Sequence, residues 1–206
     1  PNLPGLINEL ANQSLAVLQR TDPNLPLGRA CFMFVTAVSK RADVSHWSMS
    51  DEDGKFLLEL VLQEIDAMRD FRSCFTLLQG MVARKVMSTH LYDIMERMRR
   101  LAVNHQESHV RQQCASILVK FLVVYPMTDA KRQVHLNKIL RDLSYEEPTG
   151  REAARELLNT VFLKLPEELL SSFAEVFFVP LFVRLANESD RRVRLMCGAA
   201  MKVFLE

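Results

Sequence analysis

Four cysteines, at positions 31, 74, 114 and 197, are the residues in this 206-residue chain whose side chains are most capable of chemistry. A cysteine can act as a nucleophile, bind a metal or form a disulfide, and each use needs a suitable partner close by. The separations are 43, 40 and 83 residues, which excludes the short Cys-x-x-Cys pairing that metal and redox sites prefer. The spacing therefore predicts neither a catalytic nor a metal-binding cysteine.

The cysteine spacing indicates an internal repeat instead. Ala154 stands 40 residues after Cys114, so a small residue recurs five times at intervals of about 40. The positions three, four, seven and eight after each small residue are apolar, with Ser39 as the exception, and this is the spacing of one buried face of an α-helix. A period of about 40 to 47 residues is typical of solenoids built from HEAT or armadillo hairpins.

An amphipathic stripe also precedes each of these helices, so each repeat predicts a pair of antiparallel helices. We therefore predict an all-α fold, an α-solenoid of about five HEAT-like hairpins with ten helices in one array over residues 1–206. The expected repeats cover residues 1–45, 46–87, 88–126, 127–165 and 166–206. Ser50 with Asp53, and Thr149 with Glu152, match the capping box that begins a helix. Because the chain begins at Pro1 and ends inside an apolar helical pattern, we expect the array to continue beyond both ends in a longer parent chain.

Close helix packing explains the small residues. We expect Cys31, Cys74, Cys114, Ala154 and Cys197 to be buried in equivalent positions on the second helices, and the thiols to be unbridged because neighbouring repeats stack about 10 Å apart. An arginine precedes each small residue by two or three positions. In HEAT repeats such an arginine commonly joins an acid in a ladder that runs between repeats. An acid stands six residues before Arg72 (Asp66) and before Arg194 (Glu188), so we predict a repeat-to-repeat salt bridge for these two arginines only.

Other candidate chemistry is sparse. His105 and His109 are four residues apart, a spacing that can bind a metal on a helix face, but no acid or cysteine completes a ligand set. The sequence contains no glycine-rich phosphate loop, no His-Glu-x-x-His and no Gly-x-Ser-x-Gly. We therefore expect no catalytic residues, no cofactor-binding residues, no metal site and no small-molecule substrate.

Two arginine groups are the candidate contacts with RNA or a protein partner. The segment "MERMRRLAVNH" places three arginines on the predicted polar side of a first helix, and "ESDRRVR" places two beside an inter-helix turn. A solvated face is the alternative interpretation, because helix ends favour cations. The candidate contact residues are Arg97, Arg99, Arg100, Arg191 and Arg192. The long connection around Trp47 could also be a docking or regulated element.

Composition sets the outer bounds on function. The chain is 49% hydrophobic and 25% charged, which describes a folded protein. The formal net charge of +1 gives no overall attraction to nucleic acid or membrane, so any basic surface must be local. The longest apolar run is interrupted by Pro180 and Arg184, well short of the ~20 residues of a membrane span.

The second half of the chain resembles the DRIM (down-regulated in metastasis) family of nucleolar HEAT-repeat proteins. The resemblance begins at about residue 90 and depends on the order Val-Arg-Gln-Gln-Cys at 110–114, then Tyr125-Pro126, then Leu-x-Tyr-Glu-x-x-Thr-Gly-Arg-Glu at 143–152. The segment "FFVPLFVRLANES" is also similar to the family, including a first helix kinked at Pro180.

This resemblance implies a large scaffold component of the small-subunit processome without enzymatic activity. It also implies a role in pre-rRNA processing and a location in the nucleus, within the nucleolus. The partners would be other processome proteins, pre-ribosomal RNA and the U-three small nucleolar ribonucleoprotein. Two alternatives share the same periodicity: a HEAT adaptor outside ribosome assembly, such as a transport or kinase-complex scaffold, and an enzyme whose catalytic domain lies elsewhere in the parent chain.

Overall fold

The computed structural model describes residues 3–41, 47, 49–69 and 71–205. Within this part of the chain the regular structure is entirely helical, so the predicted all-α class is confirmed. The helices are α1 (Leu3–Leu18), α2 (Pro26–Lys40), α3 (Asp51–Asp66), α4 (Phe71–Ala83), α5 (Thr89–Asn104), α6 (Ser108–Val124), α7 (Asp129–Asp142), α8 (Pro148–Lys164), α9 (Glu167–Ser172), α10 (Ala174–Asn187) and α11 (Arg191–Leu205). None of these described helices is long and apolar enough to cross a membrane.

The chain divides into two compact units, Pro1–Met95 and Glu96–Glu206. In the first unit α1 packs on α2 and α3 on α4, and the two second helices, α2 and α4, pack on each other. In the second unit α7 packs on α8 and α10 on α11. There the second helices α6, α8 and α11 follow one another in contact, and the first helices α7 and α10 also touch. Each unit therefore contains stacked helical hairpins, as the repeat predicted.

The described residues form eleven helices where the sequence predicted ten, because the first helix of the fifth hairpin is divided at Phe173. Phe173 leaves the helical conformation, with φ of −109° and ψ of 18°, and its side chain turns into the core with 6% of its surface exposed. The interruption thus lies at Phe173, whereas Pro180, where the resemblance implied a kink, lies inside α10.

One of the two predicted helix caps is present. Ser50 is the N-cap of α3, and its hydroxyl accepts a hydrogen bond from the Asp53 N–H at 3.1 Å. The prediction for Thr149 is wrong, because α8 begins at Pro148 with Glu147 as its N-cap. Proline suits the first turn of a helix, since its missing N–H would have no partner there.

The recurring small residues are buried at four of the five positions. Cys74, Cys114, Ala154 and Cys197 are at most 1% exposed, and all four cysteines are free, as predicted. The prediction is wrong for Cys31, which is only partly buried. It shares one side of α2 with Leu27 and Phe34, which are exposed, so the described residues leave this side of the helix uncovered.

The connection that carries the only tryptophan is anchored to the first unit. Trp47 is 3% exposed, and its indole N–H donates to the Asn12 side-chain oxygen at 2.7 Å. Arg84 donates to the main-chain oxygens of Val38, Ser39 and Trp47. Trp47 is therefore a core residue, while residues 42–46 and 48, which belong to the same predicted docking element, lie outside the described residues.

Candidate nucleic-acid interface

The predicted arginine group on α5 divides into exposed and buried members. Arg97 and Arg100 are exposed, which agrees with a polar surface. Arg99 is only 8% exposed, so its predicted place on the polar side is wrong. The reason is Asp142 of α7, which lies 43 residues later and forms an ion pair with the Arg99 guanidinium.

Glu96 connects this arginine group to α7. Its carboxylate accepts from Arg99 at 2.7 Å, lies 3.5 Å from the Arg100 Nε and accepts from the Lys138 ammonium at 3.1 Å. Partial burial opposes ionisation of Glu96, but the bonds from Arg99 and Lys138 outweigh it and hold its pKa at about 2. Two exposed or half-exposed cations, Arg100 and Lys138, are thus fixed on either side of one carboxylate.

The low pKa of Glu96 predicts a pH-dependent contribution to stability. Its pKa falls from an ordinary 4.5 to about 2 on folding, so the stabilisation is complete above pH 4.5 and is lost as the pH falls toward 2. We expect Glu96→Gln to lower the free energy of unfolding by about 1–3 kcal/mol at pH 7 and by less at pH 3. Urea unfolding at both pH values measures this, with exposed Glu168→Gln as the control. An equal loss at both pH values would contradict the role of Glu96.

The second predicted arginine group lies elsewhere in the same unit, at the beginning of α11. Arg191 and Arg192 are both exposed. The Arg192 guanidinium lies 2.8 Å from the Glu152 carboxylate of α8, which fixes it beside a second helix. Arg97 and Arg100 belong to a first helix, so the sequence-predicted residues form two separate groups and not one site.

Sequence reasoning missed the basic residues of α7 and α10. Lys138 and Arg141 are one turn apart on α7, and Arg141 is exposed. Arg184 of α10 lies 3.0 Å from the buried Glu188 carboxylate, which holds its guanidinium in place. The spacing of Lys138 and Arg141 in "NKILRD" was the available signal, but nothing local related it to the arginines of α5.

A cavity of about 350 Å³ lies between α7 and α10. Leu140, Leu143, Pro180 and Val183 form its apolar part, and the polar part is formed by Asn137, Arg141, Ser144, Arg184 and Asn187. None of these lining residues, all within the described part of the chain, is acidic. The arrangement suits a ligand that combines a negative charge with a flat apolar surface.

The arginines that precede the small residues have a structural role in the second unit. Arg111, Arg151 and Arg194 each donate to the main-chain carbonyl six residues earlier, at 3.0, 3.1 and 3.2 Å. The Glu188 carboxylate does form a repeat-to-repeat ion pair, but its partner is the Arg151 Nε of the preceding repeat, 3.2 Å away, and not Arg194 as predicted. These arginines fix the inter-helix turns and link neighbouring repeats. The predicted Arg72–Asp66 pair stays a prediction.

Two of the buried thiols are in surroundings that disfavour reactivity. Burial raises the pKa of Cys114 to about 12 and also raises the pKa of Cys197, which disfavours the nucleophilic thiolate. His105 accepts a hydrogen bond from the Glu107 N–H at its Nδ1, 3.1 Å away. Among the described residues there is no group of three or more His, Cys, Asp or Glu side chains placed to hold a metal ion.

Comparison with known proteins relates the chain to two much longer proteins. It is 28% identical over 196 residues to a fission-yeast protein, the U3 small nucleolar RNA-associated protein 20 of Schizosaccharomyces pombe, a match that covers 95% of this chain and 8% of that protein. It is 24% identical over 172 residues to the Saccharomyces cerevisiae protein of the same name, covering 84% of this chain and 7% of that protein. No family model matches the chain. The chain therefore spans less than a tenth of the length of these curated relatives.

Proposed function

We propose that this chain is a segment of a non-enzymatic scaffold of the small-subunit processome. In this role it supports pre-rRNA processing and the biogenesis of the small ribosomal subunit in the nucleolus. Its partners are other processome proteins, pre-ribosomal RNA and the U3 small nucleolar ribonucleoprotein. The five hairpins belong to one HEAT-repeat array of the DRIM kind, which continues in the parent chain.

The match to the two yeast proteins is the observation that carries this proposal. Both have names that associate them with U3 small nucleolar RNA, and the alignments cover 95% and 84% of this chain. An alignment over 95% of the chain includes most of the first 85 residues, where the sequence resembles the DRIM family less distinctively.

The architecture of each unit supports a scaffold role on physical grounds. Stacked hairpins derive their stability from contacts with their neighbours and offer extended surfaces to partners. The buried side chains around Cys74, Cys114, Ala154 and Cys197 serve this packing. The charged side chains on the surface are arranged in ion pairs and basic clusters, which suit many weak contacts with protein and RNA better than one reaction.

Purification of the parent protein from cells tests the proposal. A tagged parent protein is captured under native conditions, and the RNA that accompanies it is sequenced. We expect U3 RNA and precursors of the small-subunit rRNA to be enriched over a tagged, unrelated helical-repeat protein. Enrichment of nuclear transport factors or of a kinase complex, without these RNAs, would contradict the proposal and favour a scaffold outside ribosome assembly.

A further inference from the structure

We propose that single-stranded RNA binds along a basic track on the first helices of the second unit, with a base inserted in the cavity between α7 and α10. The basic track consists of Arg100 of α5, Lys138 and Arg141 of α7, and Arg184 of α10. The proposal rests on the proposed function, and it names the surface and the residues through which that function would reach RNA.

Local charge is the first argument. Around the α5–α7 contact, four cations (Arg99, Arg100, Lys138 and Arg141) surround two carboxylates, those of Glu96 and Asp142. The buried Arg99 pairs with both carboxylates, and Glu96 also holds Arg100 and Lys138. Burial raises the pKa of the Asp142 carboxyl, and Arg141 lies close enough to oppose this rise. This surface therefore carries an excess of positive charge although the whole chain has a net charge of only +1. Such an excess attracts phosphate groups and releases their counterions.

Fixed positions for these cations are the second argument. Lys138 and Arg100 are held within 3.5 Å of the same Glu96 carboxylate, and Arg184 is held by Glu188. Cations that are already positioned lose less conformational entropy when they bind an anion. The part of α5 from Glu96 onward, α7 and α10 are the successive first helices of this unit, so the cations follow one another across the helices.

The α7–α10 cavity favours RNA over an acidic protein segment. Its apolar part can contact the face of a base, and the amides of Asn137 and Asn187 line it together with two arginines. Single-stranded RNA presents unstacked bases whose edges accept and donate hydrogen bonds. An acidic peptide would pair with the arginines but would leave the apolar part and the asparagine amides of the cavity without a matching group. Many surfaces that bind single-stranded RNA stack its bases on aromatic side chains, and none of the described residues that line this cavity is aromatic. We therefore expect modest affinity for RNA and little sequence preference.

Neutralisation of the basic track tests the proposal. The 206-residue chain is titrated with a fluorescent twelve-residue oligouridylate in 50 mM and 150 mM salt. We expect Lys138→Gln with Arg141→Gln to weaken binding about tenfold at 50 mM salt, and to reduce the slope of log affinity against log salt by about 1.4, the loss of two phosphate contacts with single-stranded RNA. The matched control removes two exposed cations of the first unit, by Arg20→Gln with Lys85→Gln, and is expected to bind like the parent chain. Urea unfolding confirms that both double variants remain folded.

Photocrosslinking identifies the site directly. With 4-thiouridine in the oligonucleotide, we expect crosslinks to residues of α7 and α10 around Pro180 and Val183, and their loss in the double variant of α7. The RNA assignment would be overturned by any one of three results. These are an equal loss of oligouridylate binding in the control variant, no detectable binding of the oligouridylate to the parent chain at 50 mM salt, and displacement of the oligouridylate by polyglutamate as effectively as by RNA. If the folded double variant, placed in the parent protein, still recovers pre-rRNA with an unchanged crosslink pattern, the basic track is wrong while the scaffold function stands.

Discussion

Replacing Cys114 with arginine is expected to lower the free energy of unfolding by about 3–5 kcal/mol, because an unpaired charge would enter a packed helix interface. Cys114 has no exposed surface, and burial already raises its pKa to about 12, which indicates how poorly this environment accepts a charge. Urea unfolding followed by circular dichroism measures the change.

The matched control for this prediction is Cys31→Arg. Cys31 occupies the equivalent position of the first repeat but is partly exposed, and its neighbours Leu27 and Phe34 on the same side of α2 are exposed. The longer arginine side chain can therefore reach solvent, and we expect a loss of less than about 1 kcal/mol. If Cys114→Arg unfolded at the same urea concentration as Cys31→Arg, the packing role of the small residues would be wrong.

Replacing Gly80 with alanine is expected to lower the free energy of unfolding by about 2–3 kcal/mol, the usual cost of overpacking a close helix contact. A Cβ atom at this position would lie 2.6 Å from the Ser39 carbonyl oxygen and 2.8 Å from its carbon. Both are main-chain atoms of α2, so α2 and α4 would have to move apart. Thermal and urea unfolding of the variant give the magnitude.

Gly198→Ala provides the contrast for Gly80→Ala. Among the described side chains, the one that a Cβ atom at Gly198 would meet is Leu185, whose Cδ1 atom would lie at an ordinary distance of 3.7 Å. Since alanine favours a helix interior over glycine by up to about 1 kcal/mol, this variant should be as stable as the parent chain or more stable. Equal destabilisation at both positions would show that helix propensity or local flexibility, and not the α2–α4 contact, decides the effect.

The sequence predicted the hairpins because their signal is local and repeated. An apolar residue every three or four positions determines which side of a helix is buried, and the small residues recur at equivalent places in each repeat. The same reasoning predicted the Ser50 cap, which needs only Asp53 three residues later. Features that depend on neighbouring residues of one helix were accessible in this way.

Features that depend on distant residues were not accessible. Arg99 belongs to a polar stretch, but Asp142, 43 residues away, draws it into a buried ion pair. Likewise, the Glu188 carboxylate pairs with Arg151 of the preceding repeat and not with the nearer Arg194. The α7–α10 cavity exists only because two first helices pack side by side, so no local sequence pattern could predict it. Of the basic track, sequence reasoning had named only Arg100, and it missed Lys138, Arg141 and Arg184.

The break at Phe173 and the start of α8 at Pro148 were missed for a different reason. In both cases two local signals competed, and periodicity did not decide between them. Phe173 buries its side chain in a non-helical conformation, although the apolar pattern continues through it. At α8 the proline in the first turn sets the helix start, although Thr149 and Glu152 have capping-box spacing.

A chimera tests the central claim most directly, that this chain performs the role of the matching segment in a U3-associated scaffold. The matching segment of the Schizosaccharomyces pombe protein is replaced by this chain, and the amounts of co-purified U3 RNA and of mature small-subunit rRNA are measured beside a version that lacks the segment. We predict that the chimera retains both near the level of the unmodified protein, whereas the deletion loses them. A chimera that is expressed and folded but recovers no more U3 RNA than the deletion would contradict the account.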